Sequence, residues 1–533
     1  MKPNRPFVLF CTLFVSLAAS AAAPQEPAAT QETPGQPDEP DEFAEPGEIQ
    51  LTLQQAIEMA LENNLNVVVS RLDTQVQAEG VASARGVYKP FVSASLNNLD
   101  SRSPAQSQLI GANVLASTRT NYALAWNQEL TTGGNYNVSW QNLRQTTNSA
   151  FSGFNPLYDA ALSAQVVQPL AQNFRLNPNK QRIVVAQNSE RISRHQFEVQ
   201  VMDTVRDVSF GYLDLVFSIR DLEVARQSLK LAQDLLRNNR IQVEVGTMAP
   251  IDVLEAEAEV AAREESVILA ESSILGFEDI LKSLINDPES PRFWETRYVP
   301  ATAPTMEEIQ IDLDEAIRVA LQRQPVLQLS RVELDTRDYN VRFTKNQMLP
   351  QLDLVGSVAL SGIGGDQIVR EDFAGLPSSI IPGGYGDAVD TLFGGDYRDW
   401  SLGLNVSYPL GNSQSEAQHA QAQVAARQQR AQIDSNEILI SQEVRQAARA
   451  VDTNRKRIDA TRVARELAAK RLEAEQKKFE VGMSTSFLIV QAQRDLAQAA
   501  ANELRALIDY NKAIVAFERA RGTILDRANV SVR

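Results

Sequence analysis

Hydrophobic positions along this chain follow two periods in alternating stretches. Leu53, Ile57, Ala60 and Leu61 fall at i, i+4, i+7 and i+8, one face of a 3.6-residue helix. The helix is interrupted at Asn63-Asn64 and resumes to Tyr88, where Pro90 marks the change to extended chain. Beyond it the period drops to two. Tyr122, Leu124 and Trp126 share a face, and Tyr136, Val138 and Trp140 alternate with Asn137, Ser139 and Gln141. Leu402, Leu404, Val406 and Tyr408 alternate with Gly403, Asn405 and Ser407. Such strands suit an outer-membrane barrel, apolar outward and polar inward, and equally a water-soluble antiparallel sheet with one wet face. Thr131 to Asn135 predicts a hairpin turn, giving the first half up to four strands against two in the second. The Ser-, Gly- and Asn-rich stretches 100–120, 146–159 and 361–400 predict loops, the last without helix or strand.

From Gln414 to Lys478 there is neither Gly nor Pro. That predicts a helix of about 100 Å at 1.5 Å per residue. Val424, Ala431 and Ile438 recur every seven residues, as do Val444, Val451 and Ile458, which argues for coiled-coil packing. A similar run extends from about Asn179 to Glu244. The resemblance between halves is a duplication. Leu51–Glu62 aligns with Ile311–Gln322, and at the same offset Ser70-Arg71 meets Ser330-Arg331 and Pro90 meets Pro350. Glu244-Val245-Gly246 matches Glu480-Val481-Gly482. The chain reads as two copies of one unit. Repeat 1 spans 49–290, with strands about 91–169 and a hairpin tip near 246. A linker covers 291–304. Repeat 2 spans 305–533, with strands about 351–409 and a tip near 482.

Composition narrows the function. With 51 Lys+Arg against 67 Asp+Glu the net charge is −16, which opposes nucleic-acid binding through phosphate contacts. One cysteine and two histidines offer no disulfide and no His-based metal site, and no nucleophile–base pair stands out. No enzyme, cofactor or metal is expected. Lys2 and Arg5, the apolar run Phe7–Ala19 and the small residues Ser20–Ala23 read as a cleaved secretory signal, 1–22, which removes Cys11. Residues 23–48 read as a disordered acidic, Pro-rich tether. The remaining chain has no apolar run of 18 residues, so membrane crossing falls to strands. Four to six strands fall short of the roughly eight that close a barrel, so the chain must oligomerise to make one.

The paired Leu-x-x-Ala-Ile-x-x-Ala-Leu openings at Leu53 and Leu313, the exits at Pro90 and Pro350, and Gln168-Pro169-Leu170 with Tyr408-Pro409-Leu410 occur in the same order twice. With the turns beginning Val245-Gly246-Thr247 and Val481-Gly482-Met483, they make the chain resemble a TolC-like outer-membrane efflux protein, an outer membrane factor. The resemblance implies an α+β membrane protein. It would be a homotrimer sharing a 12-stranded β-barrel within outer-membrane lipid, continued by a long α-helical coiled-coil tunnel through the periplasm. It implies a passive exit duct of a tripartite efflux or type I secretion system. The tip would dock on a periplasmic adaptor (membrane fusion) protein, which links it to an inner-membrane transporter of RND or ABC type. A periplasmic coiled-coil scaffold is the alternative.

Carried over residue by residue, the docking tip maps to Val245, Gly246, Thr247, Val481, Gly482 and Met483. The same residues also serve simply to make tight helix-to-helix turns. Members of the family constrict the closed tip with carboxylates in the second copy. Here Leu488 and Gln491 stand there, so the expected constriction combines Asp252 and Glu255 of the first copy with Phe487, Leu488 and Gln491. Asp252 and Glu255 equally suit the first turn of a helix, where the dipole favours acids. His195 and His419, and the acids at 255, 257, 259, 264 and 265, are expected on solvated faces. Trp126, Trp140 and Trp400 are candidates for an interfacial aromatic belt.

Overall fold

The structure, a computed structural model, describes residues 48–105, 111–302, 304–370 and 377–531. The signal 1–22 and all of the tether but Glu48 lie outside the described residues. The first half runs β1 (Glu48–Leu51), α1 (Leu53–Asn63), α2 (Leu65–Arg85), β2 (Phe91–Pro104), β3 (Val114–Glu129), β4 (Asn135–Thr147), β5 (Phe154–Pro169), α3 (Pro178–Glu244), α4 (Pro250–Ile285) and β6 (Arg297–Pro300). The second runs α5 (Leu313–Arg323), α6 (Pro325–Asn346), β7 (Gln351–Val369), β8 (Ser379–Ile381), α7 (Tyr385–Gly394), β9 (Tyr397–Ser407), α8 (Ser413–Glu480), α9 (Ser486–Arg521) and α10 (Ile524–Arg527). Long helices α3 and α8 hold 67 and 68 residues, and their partners α4 and α9 hold 36 each.

Local chemistry sets these boundaries. Thr52 and Gln55 form a reciprocal capping box at the start of α1. The Asn64 side chain then accepts from the amides of Asn66 and Val67, ending α1 and starting α2 at the predicted interruption. Proline opens α3, α4 and α6, where its missing N–H has no partner to lose.

The long helices pair within each hairpin, α3 with α4 and α8 with α9, while α3 also contacts α2, α6 and α9. One core gathers Val208, Tyr212, Leu215, Leu281 and Ile285, and another Val444, Val451, Ile458, Tyr510 and Ile514. The seven-residue phase is half as expected. Val444, Val451 and Ile458 are buried, but upstream the buried row is Ala426, Ile433 and Ile440. Val424, Ala431 and Ile438 point outward. The segment read as a linker, 291–304, contains β6, which pairs in parallel with β1. Tyr212 fastens that pair: its hydroxyl donates to the Leu51 carbonyl and accepts from the Thr302 amide, both at 3.0 Å.

The six long strands form one antiparallel sheet in the order β2-β3-β4-β5-β7-β9, with short β8 on the far end of β7. A 12-stranded trimer would need four per chain. The additional pair is the β3–β4 hairpin, which stands inside the sheet between β2 and β5. One face carries Val92, Leu96, Leu124, Trp126, Val138, Val166, Val358, Trp400 and Leu404, and the other Asn127, Asn137, Ser139, Ser163, Ser357, Ser401 and Asn405. All three tryptophans named above lie on the apolar face.

The described parts of the glycine-rich stretch 361–400, residues 361–370 and 377–400, are structured, contrary to their composition. β7 continues to Val369, and α7 lies back on the apolar face of the sheet. Gly362 and Gly364 make room for it: a Cβ on Gly362 would stand 1.9 Å from the Ala388 carbonyl oxygen, and one on Gly364 2.6 Å from the Ala388 amide. Tyr385 packs beside Tyr122 and Tyr158 and donates to Asn142 Oδ1 at 2.8 Å. The other two expected loops are also shorter, because strands occupy 100–104, 114–120, 146–147 and 154–159.

The β3–β4 turn is anchored where sheet meets helices. Arg175 N–H donates to the Thr132 carbonyl (2.9 Å), Thr132 Oγ1 to Gln168 Oε1 (2.7 Å) and Gln128 Nε2 to the Tyr88 carbonyl (3.2 Å). Gly133 adopts φ +95°, and a Cβ there would lie 2.3 Å from the Asn173 carbonyl oxygen. Gly133→Val should therefore strain the turn by about 1–3 kcal/mol. The expected readout is faster proteolysis at 130–134 with unchanged helical circular dichroism; an unaltered cleavage rate would mean that the turn is not held there.

Candidate functional site: the tips of the helical hairpins

Both hairpins reverse at a glycine in left-handed conformation, Gly246 at φ +78° and Gly482 at +77°. The amides three residues past each helix end return to the last turn: Thr247 N–H donates to the Gln242 carbonyl (2.9 Å) and Met483 N–H to that of Lys478 (2.7 Å). These six-to-one bonds satisfy carbonyls that a helix end leaves free. Thr247 Oγ1 adds a second bond to the Gln242 carbonyl, and Ser484 Oγ donates to Glu475 Oε2, which braces the second turn. The turn geometry thus uses Gly246, Thr247 and Gly482. It does not use the side chains of Val245, Val481 and Met483, which are 66%, 68% and 78% exposed. Three large apolar groups are left uncovered at the tips.

Just above, the two hairpins of one chain are fastened together. Asn239 of α3, fully buried, donates through Nδ2 to Ser486 Oγ at 2.7 Å and to the Asp252 carbonyl at 3.2 Å. One side chain thus joins α3 to the starts of α4 and α9. Gln493 Nε2 donates to the Leu231 carbonyl, and Leu235, Leu472, Ile489 and Val490 pack around that contact. The expected constriction residues lie on the first turns that this clasp positions. Asp252 is half-exposed, while Glu255, Phe487, Leu488 and Gln491 are exposed.

The most consequential acid had been expected on a solvated face. Glu259 is 2% exposed and sits between Arg263 of its own helix and Arg494 of α9, with Arg263 Nε at 2.7 Å and Arg494 Nε at 3.0 Å. Burial alone would raise its pKa. The hydrogen bonds and charges of Arg494 and Arg263 outweigh burial and hold it below the usual carboxylate range. Its neighbours at 255, 257, 264 and 265 are exposed as expected. Sequence carried no signal for Glu259, because its partner lies 235 residues away. His195 and His419 are only partly exposed. His195 Nδ1 is 3.0 Å from Glu198, and His419 contacts Thr344 and Gln423. Among the described residues no three His, Cys, Asp or Glu are placed to hold a metal ion, and no helix is long and apolar enough to cross a membrane.

A strand layer with one apolar face, carried on two helical hairpins with exposed apolar tips, is the arrangement expected from the TolC-like resemblance. The comparisons agree. The family model described as outer membrane efflux protein matches residues 316–523. The outer membrane protein TolC of Vibrio cholerae is 24% identical over 353 residues, covering 64% of this chain and 73% of that protein. The outer membrane efflux protein BepC of Brucella suis is 21% identical over 450 residues, covering 84% and 79%. In fold, the Campylobacter jejuni CmeC outer membrane channel superposes with a TM-score of 0.63 at 14% identity, over 89% of this chain and 86% of that one. In sequence the chain is thus similar to outer membrane efflux proteins, and in fold to an outer membrane channel.

The sign of the Glu259 shift makes its pairing pH-dependent. A carboxylate lowered on folding adds stability above its unfolded pKa and loses it as pH falls through the folded one. Arg494→Ala should destabilise the protein by about 1–3 kcal/mol, the range for a buried charged group losing a partner. The loss in Tm at pH 7 should shrink below pH 4. An equal loss at both pH values would separate Glu259 from the effect.

Proposed function

We propose that this chain is one protomer of a trimeric outer-membrane duct, the exit channel of a tripartite efflux or type I secretion system. Its strands close a shared barrel with their apolar faces in outer-membrane lipid. Its helices continue that ring through the periplasm. At the tip, Val245, Gly246, Thr247, Val481, Gly482 and Met483 dock on a periplasmic adaptor, which joins the duct to an inner-membrane transporter of RND or ABC type. Asp252, Glu255, Phe487, Leu488 and Gln491 form the periplasmic constriction.

One observation carries this reading: both layers end on the same two uncovered edges. β2 and β9 are the free edges of the sheet, and α2 leads into β2 while β9 leads into α8. On α2, Leu65, Val69, Leu72 and Val76 make a heptad-spaced stripe that is 52–65% exposed. On α8, Val424 and Ile438 are 53% and 68% exposed. A head-to-tail ring covers all four edges at once. A soluble scaffold would leave two long strands with apolar rows open to aggregation.

The mass of the detergent-extracted protein, corrected for bound detergent, should be three times that of the chain; a water-soluble monomer would overturn the duct. Val245→Asp with Met483→Asp should weaken adaptor binding by at least about tenfold, roughly the 1.4 kcal/mol expected from exposing apolar contact, with assembly intact. Unchanged binding would remove the tips from docking. Asp252→Asn with Glu255→Gln should relieve divalent-cation block of the reconstituted channel, and a block that persists would leave these acids as helix-start residues.

A further inference from the structure

The sheet says more about the duct than its class does. We infer that three copies of this chain close a wall of 18 strands, with a mouth about half again as wide as 12 strands give. This rests on the trimer proposed above. It goes beyond that proposal in assigning the β3–β4 hairpin to the barrel wall.

The ladder is continuous across the hairpin. β2 pairs with β3 from Phe91↔Asn127 to Pro104↔Val114, β3 with β4 from Ser117↔Thr147 to Glu129↔Asn135, and β4 with β5 from Asn135↔Val167 to Gln145↔Leu157. The facing also stays in phase. Val92, Trp126, Val138, Ala164, Val358 and Trp400 lie side by side, one per strand, as an unbroken apolar row. One residue away, Ser93, Ala125, Ser139, Ser163, Ala359 and Asp399 form a row of small and polar side chains on the opposite face. A hairpin lying outside the wall has no reason to keep both rows in register with it. Its turn is fastened at Gln168 and Arg175, level with the start of the wall.

The edges fit a second copy of the same chain. β2 runs away from the helices and β9 runs back toward them, so β9 of one copy lies antiparallel to β2 of the next. An even number of strands per copy lets such a ring close. Leu96 on β2 is 74% exposed, and Trp400, Leu402 and Val406 on β9 are 76%, 68% and 68% exposed, so each edge offers the next copy an apolar row. With strands about 4.8 Å apart and tilted roughly 40°, 18 of them enclose a diameter of about 36 Å between backbones, against about 24 Å for 12. The polar face would line it with neutral pairs, such as Ser139–Ser163 and Ser357–Ser401 at 2.7 Å. The same face also carries Arg119, Asp159, Asp353 and Asp399. A mouth that wide selects little by size, which leaves size selection to the helical tip.

The test is electron cryo-microscopy of the whole assembly in lipid nanodiscs, with its mass measured in parallel. Three chains and 18 strands in cross-section are expected. Two cysteine pairs, Ser93→Cys with Ala125→Cys and Ser139→Cys with Ser163→Cys, should each oxidise to an intrachain disulfide in the assembled protein. Three chains with 12 strands, or failure of both disulfides in assembled protein, would overturn the wider wall and leave the trimer standing. Two chains with 12 strands would overturn both, and a soluble monomer would remove the barrel altogether.

Discussion

In hydrocarbon an unpaired strand edge has no water to satisfy its amides and carbonyls, so every edge must find a partner. That requirement organises this chain. The order of the strands decides which two edges are free, and connectivity hands the same decision to the helices. β2 follows α2 and β9 precedes α8, so whatever pairs the strand edges also sets α2 beside α8. One contact pattern therefore serves two solvents. In the proposed ring, backbone hydrogen bonds would close the wall in lipid, and a heptad stripe would seal the helical layer in water.

The energetics point the same way. Each of Leu65, Val69, Leu72 and Val76 gains roughly 1–2 kcal/mol on completing its burial, so this single stripe is worth about 4–8 kcal/mol per contact between copies. A whole domain is typically stable by only about 5–15 kcal/mol. Folding and assembly are then hard to separate for such a chain. Within the chain, the polar clasps act on position more than on net stability. Asn239 and Glu259 hold α3, α4 and α9 in fixed register near the tips, where a slip would misplace the exposed apolar groups.

Much of this was legible in the sequence because it is encoded locally. Helix starts carried their own caps at Thr52 and Asn64, the hairpin reversals carried Gly246 and Gly482, and period-two alternation marked the strands. What escaped depends on partners distant in sequence. The heptad spacing around Val424 was real, but α8 touches neighbours on more than one side, and spacing alone does not say which row meets its own chain. Glu259 looked like any acid in an acidic run until Arg494 was placed beside it. The glycines at 362 and 364 read as loop by composition. Their two-residue spacing on the apolar side of β7 was the available sign that something packs there, and the helix that does so begins 21 residues after Gly364. The tip positions were found by their motif, yet the motif could not say which side chains the turn consumes and which it leaves uncovered.

The matched lengths of the hairpins amount to a gauge. α3 and α8 differ by one residue over about 100 Å, and α4 and α9 do not differ at all. Each residue added to one long helix would lower its turn by about 1.5 Å and swing it by about 100°. One extra residue in α8 would carry Met483 round the helix axis, away from the side on which Val245 lies. Seven would move the tip by about 10 Å while nearly restoring its orientation. Length variation in this fold is thus quantised: whole heptads, inserted in both hairpins together, change the reach of the protein without scrambling the face it presents.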